Sequence, residues 1–241
     1  MRASPRRHLP FLVAFVVVVA VTISIWSRGG REVGPPVVEP SRGAASGSVA
    51  TRHPRIVNPA GLDGPRAEAV YRAILGQLLD VYSVAGDPVT EAYSSWQRYN
   101  RYPYRSADHG DRFVNNYAND IARAYGRFEQ AGPMPEGSIV VKDSFVVTRD
   151  GDIEVGPFAL MEKMSPGSDP TTGDWLYMMI DPRGNVVGIS RGPQGDKMRF
   201  CNECHAKAPV GNDRLYFMPK DARLPIGQGD RSSLGAPLER Q

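Results

Sequence analysis

The only two cysteines of the chain, Cys201 and Cys204, are separated by two residues and followed directly by His205. This C-x-x-C-H pattern is typical of the attachment site of a c-type haem. Each thiol can form a thioether with one vinyl group of the haem, and the adjacent histidine then provides a nitrogen ligand to the iron. The pattern therefore predicts a covalently bound haem c, attached at Cys201 and Cys204, with His205 as the iron ligand.

Two other interpretations of the cysteine pair explain less of the pattern. A disulfide or redox-active dithiol does not account for the adjacent histidine, and the thioredoxin-type pair lies near the start of a βαβ unit rather than late in a chain. A structural zinc ion would need two further ligands. The remaining histidines are only His8, His53 and His109.

The N-terminus has the pattern of a membrane signal. Residues 1–8 are basic, and residues 9–26 are apolar apart from Thr22 and Ser24, which is just long enough to cross a bilayer. No clear small-x-small cleavage site follows, so we expect an uncleaved transmembrane signal anchor, with a cleaved signal peptide as the alternative. Because basic flanks stay cytoplasmic, the bulk of the chain is expected on the outer side, which is the periplasm if the protein is bacterial.

Composition divides the rest of the chain into three parts. Residues 27–60 are rich in Gly, Pro and Ser without an apolar period, which predicts a flexible linker. Residues 226–241 are polar and are expected to be a disordered tail, which leaves residues 61–225 as one haem domain. The net charge is +3, with no basic stripe interleaved with aromatic residues, so we expect no nucleic-acid partner.

The domain is predicted to begin with helices and to continue as a sheet. Helical spacing of apolar residues predicts a first helix between Pro65 and Gly86. A second helix is predicted from Asp111 to Phe128, on the stripe Phe113, Tyr117, Ile121, Tyr125 and Phe128. From residue 138 the apolar period changes to two, which predicts strands at 138–148, 158–164, 174–180 and 186–190. Short turns join them as in an antiparallel meander, so the predicted fold class is α+β, with helices packed on a mostly antiparallel sheet.

The late position of the haem motif excludes the layout of small electron-transfer cytochromes c, and four preceding strands argue against a four-helix cytochrome c′. From about Trp96 to Pro219 the chain resembles the cytochrome P-460 family, which includes the β-sheet cytochromes c′. The resemblance rests on the haem motif together with blocks in a fixed order: Asp111 to Ala122, Pro135 to Lys142, Met161 to Gly167, Gly173 to Tyr177 and Asp213 to Phe217.

The resemblance implies a mostly antiparallel sheet, often a homodimer, with His205 as the proximal ligand and an open distal position. In cytochromes P-460 a lysine is linked covalently to the haem edge and the protein oxidises hydroxylamine, with nitric oxide chemistry nearby. In the β-sheet cytochromes c′ the link is absent and the protein binds small gases such as nitric oxide. By its position Lys142 resembles the linking lysine, whereas the ordinary alternative is a solvated strand lysine.

Strand alternation groups Lys142 with Val140 and Ser144, opposite the more apolar face that carries Phe145. Hydroxylamine oxidation also needs a distal base. In the family an acidic residue shortly before the haem motif has this role, and Asp196 is the candidate in this chain. Alternatively, the sixth position is occupied by His109 or by a methionine, of which the candidates are Met161, Met164, Met178, Met179, Met198 and Met218.

Three functions remain as hypotheses. The first is a membrane-anchored cytochrome that binds or oxidises small nitrogen species and passes electrons to a redox partner such as another cytochrome. The second is a non-catalytic gas-binding protein, and the third is an electron carrier with a Met or His sixth ligand. These hypotheses leave open whether the protein is an enzyme, in which case it would be a hydroxylamine or nitric oxide oxidoreductase.

Overall fold

We describe the protein from a computed structural model, in which residues 56–224 are described. All described residues belong to one compact unit of the chain. The predicted anchor at residues 9–26, most of the predicted linker and the predicted tail lie outside the described residues. Within residues 56–224, no helix has the length and apolar character needed to cross a membrane.

The first predicted helix is confirmed. Helix α1 (Gly64–Ser83) begins behind Asp63, whose carboxylate accepts a hydrogen bond from the backbone N–H of Arg66 at 3.2 Å. An aspartate at this position and a proline in the first turn are both typical of a helix start. The short helix α2 (Pro88–Ala92) follows. The buried face of α1 includes Tyr71, Ile74, Leu78 and Tyr82.

Eight strands form one antiparallel sheet. They are β1 (Gln97–Arg98), β2 (Tyr104–Ser106), β3 (Arg112–Ala118), β4 (Ile139–Val147), β5 (Ile153–Val155), β6 (Phe158–Lys163), β7 (Trp175–Ile180) and β8 (Val186–Ile189). The order is β1-β3-β4-β6-β7-β8, with β2 paired to β3 and β5 to β4. The four strands predicted between residues 138 and 190 correspond to β4, β6, β7 and β8, and they pair antiparallel as predicted.

The predicted second helix from Asp111 to Phe128 is wrong. Its first part is strand β3, and its last part lies in the 3-10 stretch Arg123–Gln130. A spacing of four residues is an even number, so it places side chains on one face of a strand as well as on one face of a helix. Ile121 of the predicted stripe is 51% exposed, which shows that the pattern did not continue through one buried helical face.

Both faces of the sheet are covered by other parts of the chain. Helix α1 packs on the face that carries Val141 and Phe145. The opposite face, with Val140, Met161 and Tyr177, packs against the 3-10 stretch and the C-terminal segment. That segment includes helix α3 (Arg199–His205), which contains the haem motif. The fold is therefore α+β, a mostly antiparallel sheet with a few helices.

Candidate functional site

The C-x-x-C-H sequence forms helix α3 beside the second face of the sheet. The helix follows the fully buried Met198, which packs into the core on that face. No residue of α3 itself is buried; Cys201 is partly buried, Cys204 is exposed, and both are free thiols. Burial raises the pKa of the Cys201 thiol to about 11. Both thiols are thus unpaired and able to form covalent bonds to a group lying next to the helix.

The imidazole of His205 is oriented by one hydrogen bond and two aromatic rings. Its Nδ1 lies 2.7 Å from the carbonyl oxygen of Arg214, and because a carbonyl only accepts, Nδ1 carries the proton and Nε2 keeps a free lone pair. The rings of Tyr177 and Tyr216 lie 5.5 Å and 5.6 Å away between centroids. Burial, together with Lys142, lowers the pKa of His205 to about 4. The histidine is therefore neutral, the form in which imidazole binds a metal.

Three contacts of Asp213 hold the loop that carries the Arg214 carbonyl. Asp213 and Arg214 both have positive φ angles, 48° and 62°, which are uncommon for residues other than glycine. The Asp213 carboxylate forms an ion pair with Lys163 at 2.6 Å and accepts a hydrogen bond from the backbone N–H of Met134 at 2.8 Å. Its carbonyl accepts a hydrogen bond from Trp175 Nε1 at 2.8 Å. These contacts fix the backbone that orients His205.

No role was predicted from the sequence for Lys163, Trp175 or Asp213. All three lie in the blocks on which the resemblance rests, far apart along the chain, and the structure brings them together behind His205. The only sequence signal was their presence in those blocks. Their contact is a tertiary one that no local pattern describes.

A mainly apolar cleft lies between the sheet and α3. The sheet side includes Val140, Lys142, Ala159, Met161, Tyr177 and Met179. The opposite side includes Phe200, Cys201, Cys204, His205, Leu215 and Tyr216. Two thiols and a neutral imidazole therefore face the same apolar space, which is the donor set that a covalently attached haem requires.

Two further observations test whether the site fits a haem. The Tyr177 hydroxyl is buried and has no hydrogen-bond partner within the described part of the protein, and such an atom loses hydration without compensation unless a bound group contacts it. Among residues 56–224, no three His, Cys, Asp or Glu side chains are grouped to hold a metal ion. A structural zinc ion needs four protein ligands, whereas a covalently attached haem needs two thiols and an axial protein ligand.

The polar end of the cleft is formed by Lys142, His109 and Asp108. Lys142 Nζ lies 3.4 Å from His109 Nε2, and His109 Nδ1 lies 2.8 Å from Ser106 Oγ. Burial lowers the pKa of Lys142 to about 8, although Asp108 opposes the shift. Lys142, together with burial, lowers the pKa of His109 to about 3. The structure thus places Lys142 inside the cleft on the same face as Val140, as strand alternation predicted.

The structure separates the other predicted site residues. Asp196 is exposed on the 3-10 turn Gly195–Met198 and does not line the cleft. Of the methionines considered as sixth ligands, Met161, Met178 and Met179 line the cleft, as does His109, although Met178 also belongs to the core on the α1 side. Met164 does not line the cleft, and Met198 and Met218 are buried in the core.

Comparison with known proteins does not identify a family. No protein-family model matches the chain, and no curated protein matches it.

Proposed function

We propose that the protein is a monohaem c-type cytochrome whose haem is bound covalently by Cys201 and Cys204, with His205 as axial ligand. The observation that carries the proposal is the neutral His205, oriented by the Arg214 carbonyl with Nε2 free, beside two free thiols at an apolar cleft. When bound, the haem would supply an iron that coordinates a small molecule and exchanges electrons. The chain supplies the attachment, the orientation of the imidazole and the exclusion of water from the cleft.

We further propose that the cleft takes small nitrogen species, hydroxylamine or nitric oxide, as the resemblance to cytochrome P-460 implies. The support from the structure is that Lys142, the residue at the position of the linking lysine, lies in the cleft opposite the haem motif. If Lys142 is not linked, the same site supports the alternative of a gas-binding protein. The third hypothesis, an electron carrier, requires Met161, Met178, Met179 or His109 to occupy the sixth position.

The location and partners are also proposals. Residues 9–26 would anchor the chain in the inner membrane, with the haem domain in the periplasm, or the domain would be released there if the segment is cleaved. Electrons would pass to a redox partner such as another cytochrome. The homodimer that the resemblance implies is tested by measuring the mass of the purified protein in solution.

Covalent haem attachment is the first test. The full chain is expressed together with a haem-maturation system, then denatured and extracted with organic solvent. We expect the colour to stay with the polypeptide and the peptide with Cys201 and Cys204 to carry the mass of haem. The matched control, Cys201→Ala with Cys204→Ala, should lose the adduct. Colourless wild-type protein without the adduct would refute the proposal.

The same preparation separates the three functions. A lysine-linked haem gives a strongly red-shifted Soret band in the reduced protein, a five-coordinate unlinked haem gives a high-spin spectrum, and a Met- or His-ligated haem gives a low-spin spectrum. Tryptic mapping then decides the role of Lys142, because an unmodified cleavage after this residue excludes the link.

A further inference from the structure

Asp196, the distal base predicted from the sequence, lies outside the cleft, whereas Asp108 is a carboxylate that lines it. The cleft instead contains a continuous hydrogen-bonded chain of three side chains. It runs from Lys142 Nζ to His109 at 3.4 Å and from His109 to Ser106 Oγ at 2.8 Å. All three residues are half-buried. The three hydrogen-bonded side chains therefore connect the cleft with solvent.

The donor and acceptor groups of these three side chains fix the direction of each hydrogen bond. An ammonium group has no lone pair, so protonated Lys142 donates and His109 Nε2 accepts. The neutral imidazole then carries its proton on Nδ1 and donates it to Ser106 Oγ. Each donor therefore points from the cleft toward the surface.

The position of His109 is fixed by its backbone. It ends the 3-10 turn Ala107–His109, and Gly110 follows with φ at 77°. The Arg112 Nη1 donates to the His109 carbonyl oxygen at 2.6 Å. This positive φ is strained for residues with a side chain, so the turn favours glycine at position 110. The imidazole is consequently held at one place in the cleft rather than carried on a free loop.

We propose that Lys142, His109 and Ser106 form a proton path that takes a proton from a ligand entering the cleft and delivers it to solvent. The bond between the ligand and its proton breaks, the electron pair stays on the ligand, and the neutral amine of Lys142 accepts the proton. A proton of Lys142 then passes to His109 Nε2, the Nδ1 proton passes to Ser106, and the Ser106 proton passes to water. No electron is transferred in these steps. The proposal rests on the proposed function with Lys142 not linked to the haem, because a linked nitrogen would no longer be the free amine that accepts the proton. It names the substrate class: small molecules that arrive with an acidic proton.

The electrostatic surroundings agree with a neutral imidazole in this role. The titratable groups that lower the pKa of His109 are Lys142, which has the largest effect, His205 across the cleft, and Arg112. Asp108 is exposed at the rim and acts mainly on Lys142. The lowered pKa of Lys142, about 8, leaves a fraction of neutral amine near neutral pH.

The test compares a ligand that carries a proton with one that does not. Hydrogen cyanide enters as a neutral molecule and must lose its proton when it binds oxidised haem, whereas carbon monoxide binds reduced haem without proton loss. Because a positioned base contributes about 10²–10⁴-fold, His109→Leu and His109→Gln should slow cyanide association by at least about tenfold. Carbon monoxide association should stay unchanged. Ser106→Ala should slow cyanide less, and the matched control Asp196→Asn should slow neither ligand.

Two further readouts are a chemical rescue of the ligand kinetics and an NMR measurement that is independent of them. Imidazole added to His109→Gly should restore fast cyanide association. In the reduced, carbon monoxide-treated protein, ¹⁵N NMR should show His109 neutral with its proton on Nδ1. Equal slowing of both ligands, no slowing of cyanide, or faster binding of both would overturn the path. Wild-type protein without covalent haem would instead refute the proposed function, so the two failures are distinguishable.

Discussion

The buried carboxylate of Asp143 should make the free energy of unfolding depend on pH in a window that the structure defines. Asp143 lies on β4, on the face covered by α1, and is fully buried. It accepts hydrogen bonds from Tyr71 at 2.6 Å, Tyr93 at 3.2 Å and Asn115 Nδ2 at 2.9 Å. Burial outweighs these bonds and raises its pKa from 3.8 to about 6.

The direction of the pH dependence follows from which state, folded or unfolded, binds the proton on Asp143 more tightly. The folded protein holds a proton on Asp143 more tightly than the unfolded chain, so this stabilisation is complete below pH 3.8 and is lost as the pH rises through about 6. A difference of about two pKa units corresponds to roughly 3 kcal/mol. His109 and His205 have lowered pKa values, about 3 and 4, and contribute the opposite slope in an overlapping range. The contribution of Asp143 therefore has to be isolated by a variant.

The assay is urea unfolding of the protein and of Asp143→Asn, followed by circular dichroism at several pH values between 4 and 8. The histidines are common to both proteins, so their contributions cancel in the difference between the two free energies of unfolding. We expect this difference to change by roughly 3 kcal/mol across the window, with the wild type gaining relative stability toward acid. Asp150→Asn, which changes an exposed turn carboxylate, is the matched control and should give a flat difference. A flat difference for Asp143→Asn as well would refute the reasoning.

Three further predictions concern residues that stabilise the loops and the helix around the cleft. Lys163→Met leaves the partly buried Asp213 carboxylate without its cation and should lower the free energy of unfolding by about 3 kcal/mol in urea titrations; Lys163→Arg should lower it less. Gly110→Ala should cost about 1–2 kcal/mol, because alanine is strained at φ 77° and its Cβ would contact Arg112; an unchanged melting temperature would contradict this. Met198→Ala should cost about 2–5 kcal/mol through the cavity it leaves beneath α3, measured in the same titration.

The strands that follow residue 138 could be predicted because local pattern and tertiary structure agree there. The strands lie where the apolar alternation predicts them, and the observed bounds differ from the predicted ones by at most one residue at each end. Strand β3 could not be predicted in the same way, because Phe113 and Tyr117 are spaced by four residues, a spacing that helices and strands share. The antiparallel pairing of β3 with β4 decides its conformation, and this contact is not visible in the local sequence.

The same distinction between local pattern and tertiary contact applies to the residues of the candidate site. Adjacent residues of the motif, Cys201, Cys204 and His205, could be located from sequence because five consecutive positions on one helix carry the whole signal. The placement of Asp196 relative to the cleft depends on how the chain turns after β8, and the sequence does not specify that turn. His109 reaches Lys142 across a separation of 33 residues, through a turn that was not predicted. Residues that act through tertiary contacts therefore required the structure.

Strand β4 shows why the neighbouring ionisable groups Lys142 and Asp143 do not neutralise each other. Lys142 and Asp143 are adjacent in sequence, yet alternation directs the lysine into the cleft toward His109 and the carboxylate toward the tyrosines of the α1 side. Their pKa values both move toward the neutral form, to about 8 and about 6, chiefly because each is buried. A register slip of one residue would exchange the two environments and place the carboxylate in the cleft. The pairing of Asn116 with Lys142 and of Asn115 with Asp143 on β3 fixes that register, so the amine that we propose as proton acceptor depends on the same strand pairing that holds the core together.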